Sequence, residues 1–406
     1  MLNVKKPDEV IEIINALSLN IELQSELISL TNARDRILYH DIISDENVPN
    51  FNRSTVDGYA VRATDTFGCS ESIPAILNVI SEVMMGDAAD VDISSGECVI
   101  VSTGGALPKD ADAVVMIEHS EDYGSNMVGI QRSVAPGNNV VFTGDDVRAG
   151  QKVLSAGTIL TPHDIGILAA LGHDKVEVRV RPVVGVISTG DELVPTSHKP
   201  SKGQVRDINT PLLITALEKF GAVAIDFGII SDEGEAITKA VLSAVKSCDV
   251  CLISGGSSAG ARDMTARVIE SEGELLLHGI AVKPGKPTIF GMVNNTPVFG
   301  LPGHPVAAYI VTELFVRPLL DRITFSYKKR RSTDAQLTEA ISSNHGRAEY
   351  IAVKLDYNGN TDTVMANPIR GKSGLISSLS GVDGYIYVPR DCEGLAKNEI
   401  VKVVYF

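Results

Sequence analysis

Tryptophan is absent from this sequence of 406 residues, and aromatic residues together make up only 5%. That thin supply weighs against a nucleic-acid surface built from aromatic stacking platforms. Positive charge is also short. Lys and Arg number 36 against 51 Asp and Glu, a formal charge of −15. That balance disfavours a nucleic-acid or anionic-membrane partner but leaves room for a small anionic substrate met by a local basic cluster. The cysteines, Cys69, Cys98, Cys248, Cys251 and Cys392, are scattered and odd in number, the usage of a reducing compartment. Cys248 and Cys251 form a lone CxxC with no second pair and no histidine partner, so both read as buried thiols. The opening MLNVKKPDEVIEII has no apolar signal core, and no apolar run is long enough to span a bilayer. A soluble, cytoplasmic protein is expected.

What is present is a 44% apolar chain, too long for one core and long enough for two to four domains. Its texture changes along the way. Residues 6–17 read as a helix with Pro7 near its start and Val10, Ile11, Ile14 and Leu17 on one face. Residues 22–45 read as a second helical piece with a strand-like exit at 37–43. From 46 to 144 short apolar runs alternate with Gly, Asp, Ser and Pro, an all-β texture expected to be an inserted domain. Thr161 and Pro162 open a helix that ends at Leu171-Gly172. Residues 1–45 and 145–180 are therefore assigned to a small linking helical/β domain, whose first helix (6–18) can pack on the next domain.

Residues 181–326 alternate strand and helix, which implies an α/β domain with a mostly parallel sheet and helices on both faces. Strands are expected at 183–188, 222–230, 249–254 and 275–282. A hairpin is expected at 288–293 and 297–300 around Asn294-Asn295, and a helix from Pro305. Thr210 is expected to cap the helix that includes Pro211. A charged linker at 326–331 precedes a C-terminal β domain, 327–406.

Within the α/β domain, Ser254-Gly255-Gly256-Ser257-Ser258-Ala259-Gly260-Ala261-Arg262-Asp263 joins a strand to a helix. Small residues and a helix start make an anion cradle. Ligands of open α/β sheets gather beyond the carboxyl ends of the strands. Those ends carry Thr189-Gly190-Asp191-Glu192, Ser231-Asp232-Glu233, the glycine loop with Asp263, Lys283-Pro284-Gly285-Lys286-Pro287, and Leu301-Pro302-Gly303-His304-Pro305. Carboxylates beside a phosphate cradle suit Mg²⁺, and the two lysines suit phosphate. Taken singly, Asp232 and Asp263 can be helix caps. Acids at three strand ends of one sheet favour a pocket. In the β-rich insert, Asn52 to Ala60, Ser102 to Ala106 and Phe142 to Asp146 are turn-rich clusters, and the plain reading of Asp57-Gly58 is a tight turn. His304 and His345 have no partner at metal-ligand spacing and read as structural or supporting residues.

Together these stretches resemble the molybdopterin molybdenumtransferase family, known as MoeA in bacteria and as the E domain of gephyrin in animals. The matching motifs run in family order over nearly the whole chain: Arg53-Ser54-Thr55-Val56-Asp57-Gly58-Tyr59-Ala60-Val61-Arg62, Ser102-Thr103-Gly104-Gly105-Ala106 with Asp110 to Val115, and Gly144-Asp145-Asp146-Val147. Ser188-Thr189-Gly190-Asp191-Glu192-Leu193, Ser254-Gly255-Gly256-Ser257, Val282-Lys283-Pro284-Gly285-Lys286-Pro287 and Gly300-Leu301-Pro302-Gly303-His304-Pro305 follow.

The resemblance implies the last step of molybdenum cofactor synthesis. Adenylylated molybdopterin and molybdate are the substrates, Mg²⁺ is required, and AMP is released as molybdenum passes to the pterin. It implies catalytic roles for Asp57, Thr103, Asp146, Glu192, Asp232, Asp263 and Lys283, with Glu192, Asp232 and Asp263 at the metal. Ser254, Gly255, Gly256, Ser257, Lys286 and Gly303 would hold the phosphate and pterin. Molybdate would lie near Ser377-Ser378, Pro302 and Pro305, with charge from Arg347 or Arg370. It further implies a molybdopterin-binding α/β domain, a C-terminal β-barrel-like domain, and a homodimer whose cleft joins the insert of one subunit to the α/β domain of the other. Transfer contact with a molybdopterin adenylyltransferase is a further expectation. The chain departs from the family in having Asn52-Arg53 before Ser54, His304 where Asn is common, and Ala352 where a basic residue is common. Two rival readings are a non-catalytic scaffold of the gephyrin type, normally fused to a second domain through a long linker, and a molybdopterin adenylyltransferase. The insert and the C-terminal β domain argue against the latter.

Overall fold

The structure, a computed structural model, describes residues 4–19, 22–255, 259–326, 330–343, 346–358, 363–369 and 376–406, with the backbone alone for 259–263, 358 and 378. The chain divides into two compact units, Leu27–Arg34 with Leu38–Val178, and Met1–Glu26 with Asp35–Ile37 and Arg179–Phe406.

The first of these units holds a six-stranded sheet formed by β1 (Gly58–Val61), β2 (Ala75–Val83), β3 (Glu97–Val101), β4 (Ala113–Met116), β5 (Ser120–Gly124) and β6 (Met127–Ile130). The strand order is β4-β1-β3-β2-β6-β5, and only β2 and β3 pair in parallel. Side chains alternate between two cores. Tyr59, Val61, Cys98 and Val128 fill one, and Ala60, Val99, Val101 and Val114 the other. Gly58 starts β1 because a Cβ there would stand 1.9 Å from the Val115 carbonyl oxygen.

Residues 22–45 depart from the expected helix. Ser25–Ser29 is a strand, and only Leu30–Asn32 turns helically, as a single 3₁₀ turn. Pairing with Lys175–Arg179 outweighs a local preference too short to hold a helix alone.

The second unit carries the α/β sheet: β7 (Val183–Thr189), β8 (Val223–Ile230), β9 (Val250–Gly255), β10 (Gly273–His278), β11 (Ile289–Val293) and β12 (Thr296–Leu301). The order is β8-β7-β9-β12-β11-β10. Strands β8, β7, β9 and β12 are mutually parallel, and the β11–β12 hairpin turns at Asn294 and Asn295, both at positive φ. The apolar run of β9 is continuous because both sheet faces are covered. Val250 and Leu252 pack with Leu213 and Leu217 of α3 (Asn209–Lys219), and Cys251 and Ile253 pack with Ile237 and Val241 of α4 (Gly234–Ala244). On the α3 side the layer is completed by the N-terminal helix α1 (Pro7–Ala16), through Val10 and Ile14, and by residues of Pro305–Val311 and Arg317–Ile323, while α2 (Pro162–Ala170) belongs to the first unit.

A closed five-stranded barrel ends the chain. Strands β13 (Ser332–Leu337), β14 (Ala348–Asn358), β15 (Thr363–Pro368), β16 (Gly384–Val388) and β17 (Ile400–Tyr405) run β14-β15-β13-β17-β16 and back to β14. Within the stretch read as a charged linker, the described residues at its ends are tied into the fold, and Ser326 is buried. Arg330 donates to the Tyr385 hydroxyl at 2.6 Å and to the Glu313 carbonyl at 2.6 Å, and β13 starts two residues later. All five cysteines are free thiols; burial pushes Cys98 up to about 12 and raises Cys251 further.

Candidate active site

Four adjacent parallel strands of the α/β sheet bring their carboxyl ends to one rim. Thr189, at the end of β7, pairs with Ile230 of β8 on one side and Gly255 of β9 on the other, while Ser254 pairs with Leu301 of β12. The residues just beyond are Asp191 and Glu192, Asp232, the glycine loop, and Pro302-Gly303. Gly255 is required by this packing itself. A Cβ there would fall 2.0 Å from the Thr189 carbonyl oxygen, so its bareness serves strand approach rather than ligand approach.

The rim concentrates negative charge. The Asp191 carboxylate accepts from the Asp232 backbone N–H at 3.2 Å. Burial first, then the Asp191 and Glu192 carboxylates, push the Asp232 carboxyl above its ordinary value, and a hydrogen bond with the Thr189 side chain offsets this in part. Asp232 Oδ1 is buried and accepts no hydrogen bond. Helix α4, which follows, has no side-chain cap at its N-cap residue Glu233, so the capping role open to Asp232 is not used. An orphaned carboxylate oxygen flanked by two more acids fits a divalent cation. No group of three His, Cys, Asp or Glu among the described residues is arranged to hold a metal alone. Mg²⁺ commonly takes one or two carboxylates and completes its shell with water and substrate phosphate.

One correction concerns the glycine loop. Helix α5 runs Ala259–Glu272, which places Asp263 inside the helix rather than ahead of it as a cap. Gly256 and Ser257 lie outside the described residues, as does the side chain of Asp263. Ser254, by contrast, is buried, and its hydroxyl accepts from Asn209 Nδ2 at 2.8 Å. The same amide nitrogen donates to the Gly303 carbonyl at 2.9 Å, tying two rim loops together. Thr210 lies within α3 and is not its cap. Asp207 takes that role, with Oδ1 accepting from the N–H groups of Asn209 and Thr210 at 3.1 Å each. Asp207 Oδ2 accepts from the Thr210 hydroxyl at 2.7 Å. The sequence signal for this was an Asp two residues ahead of the helix.

Lys283 is not at a sheet-strand end as the sequence reading placed it. β10 stops at His278, and Val282–Lys283 is a separate short strand, paired in parallel with Ala348 and Glu349 of the barrel. Lys283 Nζ lies 2.7 Å from Glu349 Oε1. Lys286 is half-buried, and its carbonyl accepts from the Ile280 N–H at 2.9 Å.

The residues assigned to molybdate divide. Pro302 and Pro305 are buried at the entry to the Pro305–Val311 helix, and the Ile376–Leu379 turn that bears the exposed Ser377 packs against that helix. Arg347 is exposed beside Ala348, and Arg370 and His345 lie outside the described residues.

The other compact unit brings together a second set. Asp57 Oδ1 accepts from the Thr103 N–H at 2.6 Å and from its hydroxyl at 3.0 Å, and these bonds hold the Asp57 carboxyl below its ordinary value. The loops are laced by Gly104 N–H to the Ser54 carbonyl, Ser54 N–H to the Gly105 carbonyl and Thr55 N–H to the Asn139 carbonyl. Asp146 is exposed on a turn whose N–H donates to the Val48 carbonyl.

A fold of this kind, an α/β sheet with an acidic rim joined to a β-rich insert and a closed C-terminal barrel, defines a multi-domain enzyme of pterin cofactor assembly once its relatives are compared. Three family profiles match in order: MoeA N-terminal region (domain I and II) at residues 5–172, "Probable molybdopterin binding domain" at 185–322, and MoeA C-terminal region (domain IV) at 334–406. The chain is 36% identical over 385 residues to a putative molybdopterin biosynthesis protein of Methanocaldococcus jannaschii, covering 93% of this chain and 91% of that one. It is 31% identical over 387 residues to the molybdopterin molybdenumtransferase of Bacillus subtilis, covering 94% and 90%. The crystal structure of the molybdopterin biosynthesis MoeA protein of Pyrococcus horikoshii superposes with a TM-score of 0.87 at 34% identity over the whole of both chains. The chain belongs to the MoeA family of molybdenum cofactor biosynthesis.

Proposed function

We propose that this chain is a molybdopterin molybdenumtransferase that inserts molybdenum from molybdate into adenylylated molybdopterin and releases AMP. The observation that carries the reading is the acidic rim, in which the buried, unpartnered Asp232 oxygen stands beside Asp191 and Glu192. Glu192, Asp232 and Asp263 would hold Mg²⁺, which when bound supplies charge neutralisation for the phosphoanhydride oxygens. Lys283 and Lys286 would offset the remaining phosphate charge. Asp232 would also orient the water that attacks phosphorus as the phosphoanhydride bond to AMP breaks. The loop network through Asn209 would fix Ser254 and Gly303 against the substrate.

The enzyme would act as a homodimer, with Asp57, Thr103 and Asp146 of one copy completing the rim of the other, and would receive its substrate by contact with a molybdopterin adenylyltransferase. Pro302, Pro305, Ser377 and the Arg347 or Arg370 cation would receive molybdate. No helix among the described residues is long and apolar enough to cross a membrane, which is consistent with work in the cytoplasm.

The test is reconstitution. The protein, adenylylated molybdopterin, molybdate and Mg²⁺ should together generate cofactor that activates a cofactor-free molybdoenzyme. No activation, with an authentic transferase active in parallel, removes the reading. Adenylylation of molybdopterin from ATP would replace it with the adenylyltransferase reading.

A further inference from the structure

Lys283 lies at the barrel junction rather than at a strand end of the α/β sheet, and its ion-pair partner Glu349 has no role in the reading above. Parallel pairing of Lys283 with Glu349 sets the two side chains next to one another. Both Glu349 oxygens are used: Oε1 lies 2.7 Å from Lys283 Nζ, and Oε2 accepts from the Ser343 hydroxyl at 2.8 Å. Exposure is unequal, with the Glu349 side chain 12% exposed and that of Lys283 54%. The carboxylate is thus a fixed base, and the ammonium reaches from it toward solvent.

An exposed ion pair contributes little to stability, because solvent screens it and two side chains must be ordered. Its consequence here is geometric. A lysine is a point charge on a flexible stem, with three donors that can serve more than one acceptor. One donor committed to a buried carboxylate restricts the stem and leaves two free for an incoming oxyanion.

We infer that Glu349 is the positioning residue for Lys283, holding the ammonium aimed so that the C-terminal barrel sets the affinity of the site for the substrate phosphate. This rests on the proposed phosphate role of Lys283. Glu349 is the better anchor because it is held by two side chains, whereas Lys283 is held by one among the described residues.

The test is a double-mutant cycle on the full-length protein with adenylylated molybdopterin. Steady-state constants would be read together with the Kd of that substrate from calorimetric titration without molybdate. Glu349→Gln keeps the shape and can still bond Ser343. It should raise KM and Kd about three- to tenfold, the scale of losing one charge-assisted bond to a long cation, with a smaller change in kcat. Lys283→Ala should raise them further, and Glu349→Gln added to Lys283→Ala should then have no additional effect. Glu349→Asp should fall between the wild type and Gln. Additive effects would make Glu349 merely structural. An unchanged or lowered KM in Glu349→Gln would also overturn the inference, the lowered value showing competition with substrate. If Lys283→Ala itself leaves KM and Kd unchanged, the phosphate role of Lys283 fails instead.

Discussion

Asp232 binds its proton more tightly in the folded chain than in the unfolded one, because burial and two neighbouring acids disfavour its charge. The folded state therefore carries more protons in the interval between the ordinary value of 3.8 and the raised one, and stability falls as pH rises through that interval. Asp57 has the opposite sign. Its Thr103 bonds favour the carboxylate, so its contribution is present above the ordinary value and is lost as pH falls through the lowered one. Asp232→Asn should accordingly raise the Tm near neutral pH by roughly 1–3 °C, and the gain should vanish below the ordinary carboxylate range. Turnover should fall by about a hundredfold or more, the scale on which a misplaced reacting group slows a step. A lower Tm at neutral pH, measured by calorimetry, would show that Asp232 is a structural acid. The candidate acids were legible as residues because strand ends in an alternating pattern are few. Asn209 and Glu349 were not, since each becomes distinctive only through partners 45 or more residues away, Ser254 in one case and Lys283 in the other.

At the scale of elements, legibility followed hydrophobic pattern. The run Val250-Cys251-Leu252-Ile253 could only be a strand covered on both faces, and the alternating runs of the insert and barrel read as sheets. Ser332–Leu337 escaped notice because it buries only Ala335 and Leu337 and owes its form to pairing with β15 and β17. The Val282–Lys283 strand has two residues and no pattern of its own, yet its pairing with β14 places Lys283 beside Glu349. Between the Pro305–Val311 and Arg317–Ile323 helices, Thr312–Val316 winds as a π-helix. It buries Glu313 completely, with Arg317 at 2.5 Å from one carboxylate oxygen and no hydrogen bond to the other. No periodicity in the sequence signals that widening of the helix.

For the whole molecule, the two sets of candidate residues fall in different compact units, Asp57, Thr103 and Asp146 in one and Glu192, Asp232 and Lys283 in the other. If each active site takes one set from each of two subunits, defects in different sets should complement. Asp57→Ala and Asp263→Ala homodimers should both be inactive, and each mixed dimer should recover one of its two sites, so that random reassortment of equal amounts restores about a quarter of all sites. Native mass spectrometry would confirm mixing, and absence of recovery in confirmed heterodimers would place the whole site within one chain.

The central claim is that release of AMP is tied to molybdenum insertion on this chain, and the direct measurement is AMP liberated from adenylylated molybdopterin by the purified protein with Mg²⁺, with and without molybdate. The account predicts molybdate-dependent AMP release that matches the molybdenum retained by the pterin mole for mole, and loss of that release in Asp232→Asn. A folded protein that binds the substrate yet releases no AMP when molybdate is added would contradict it.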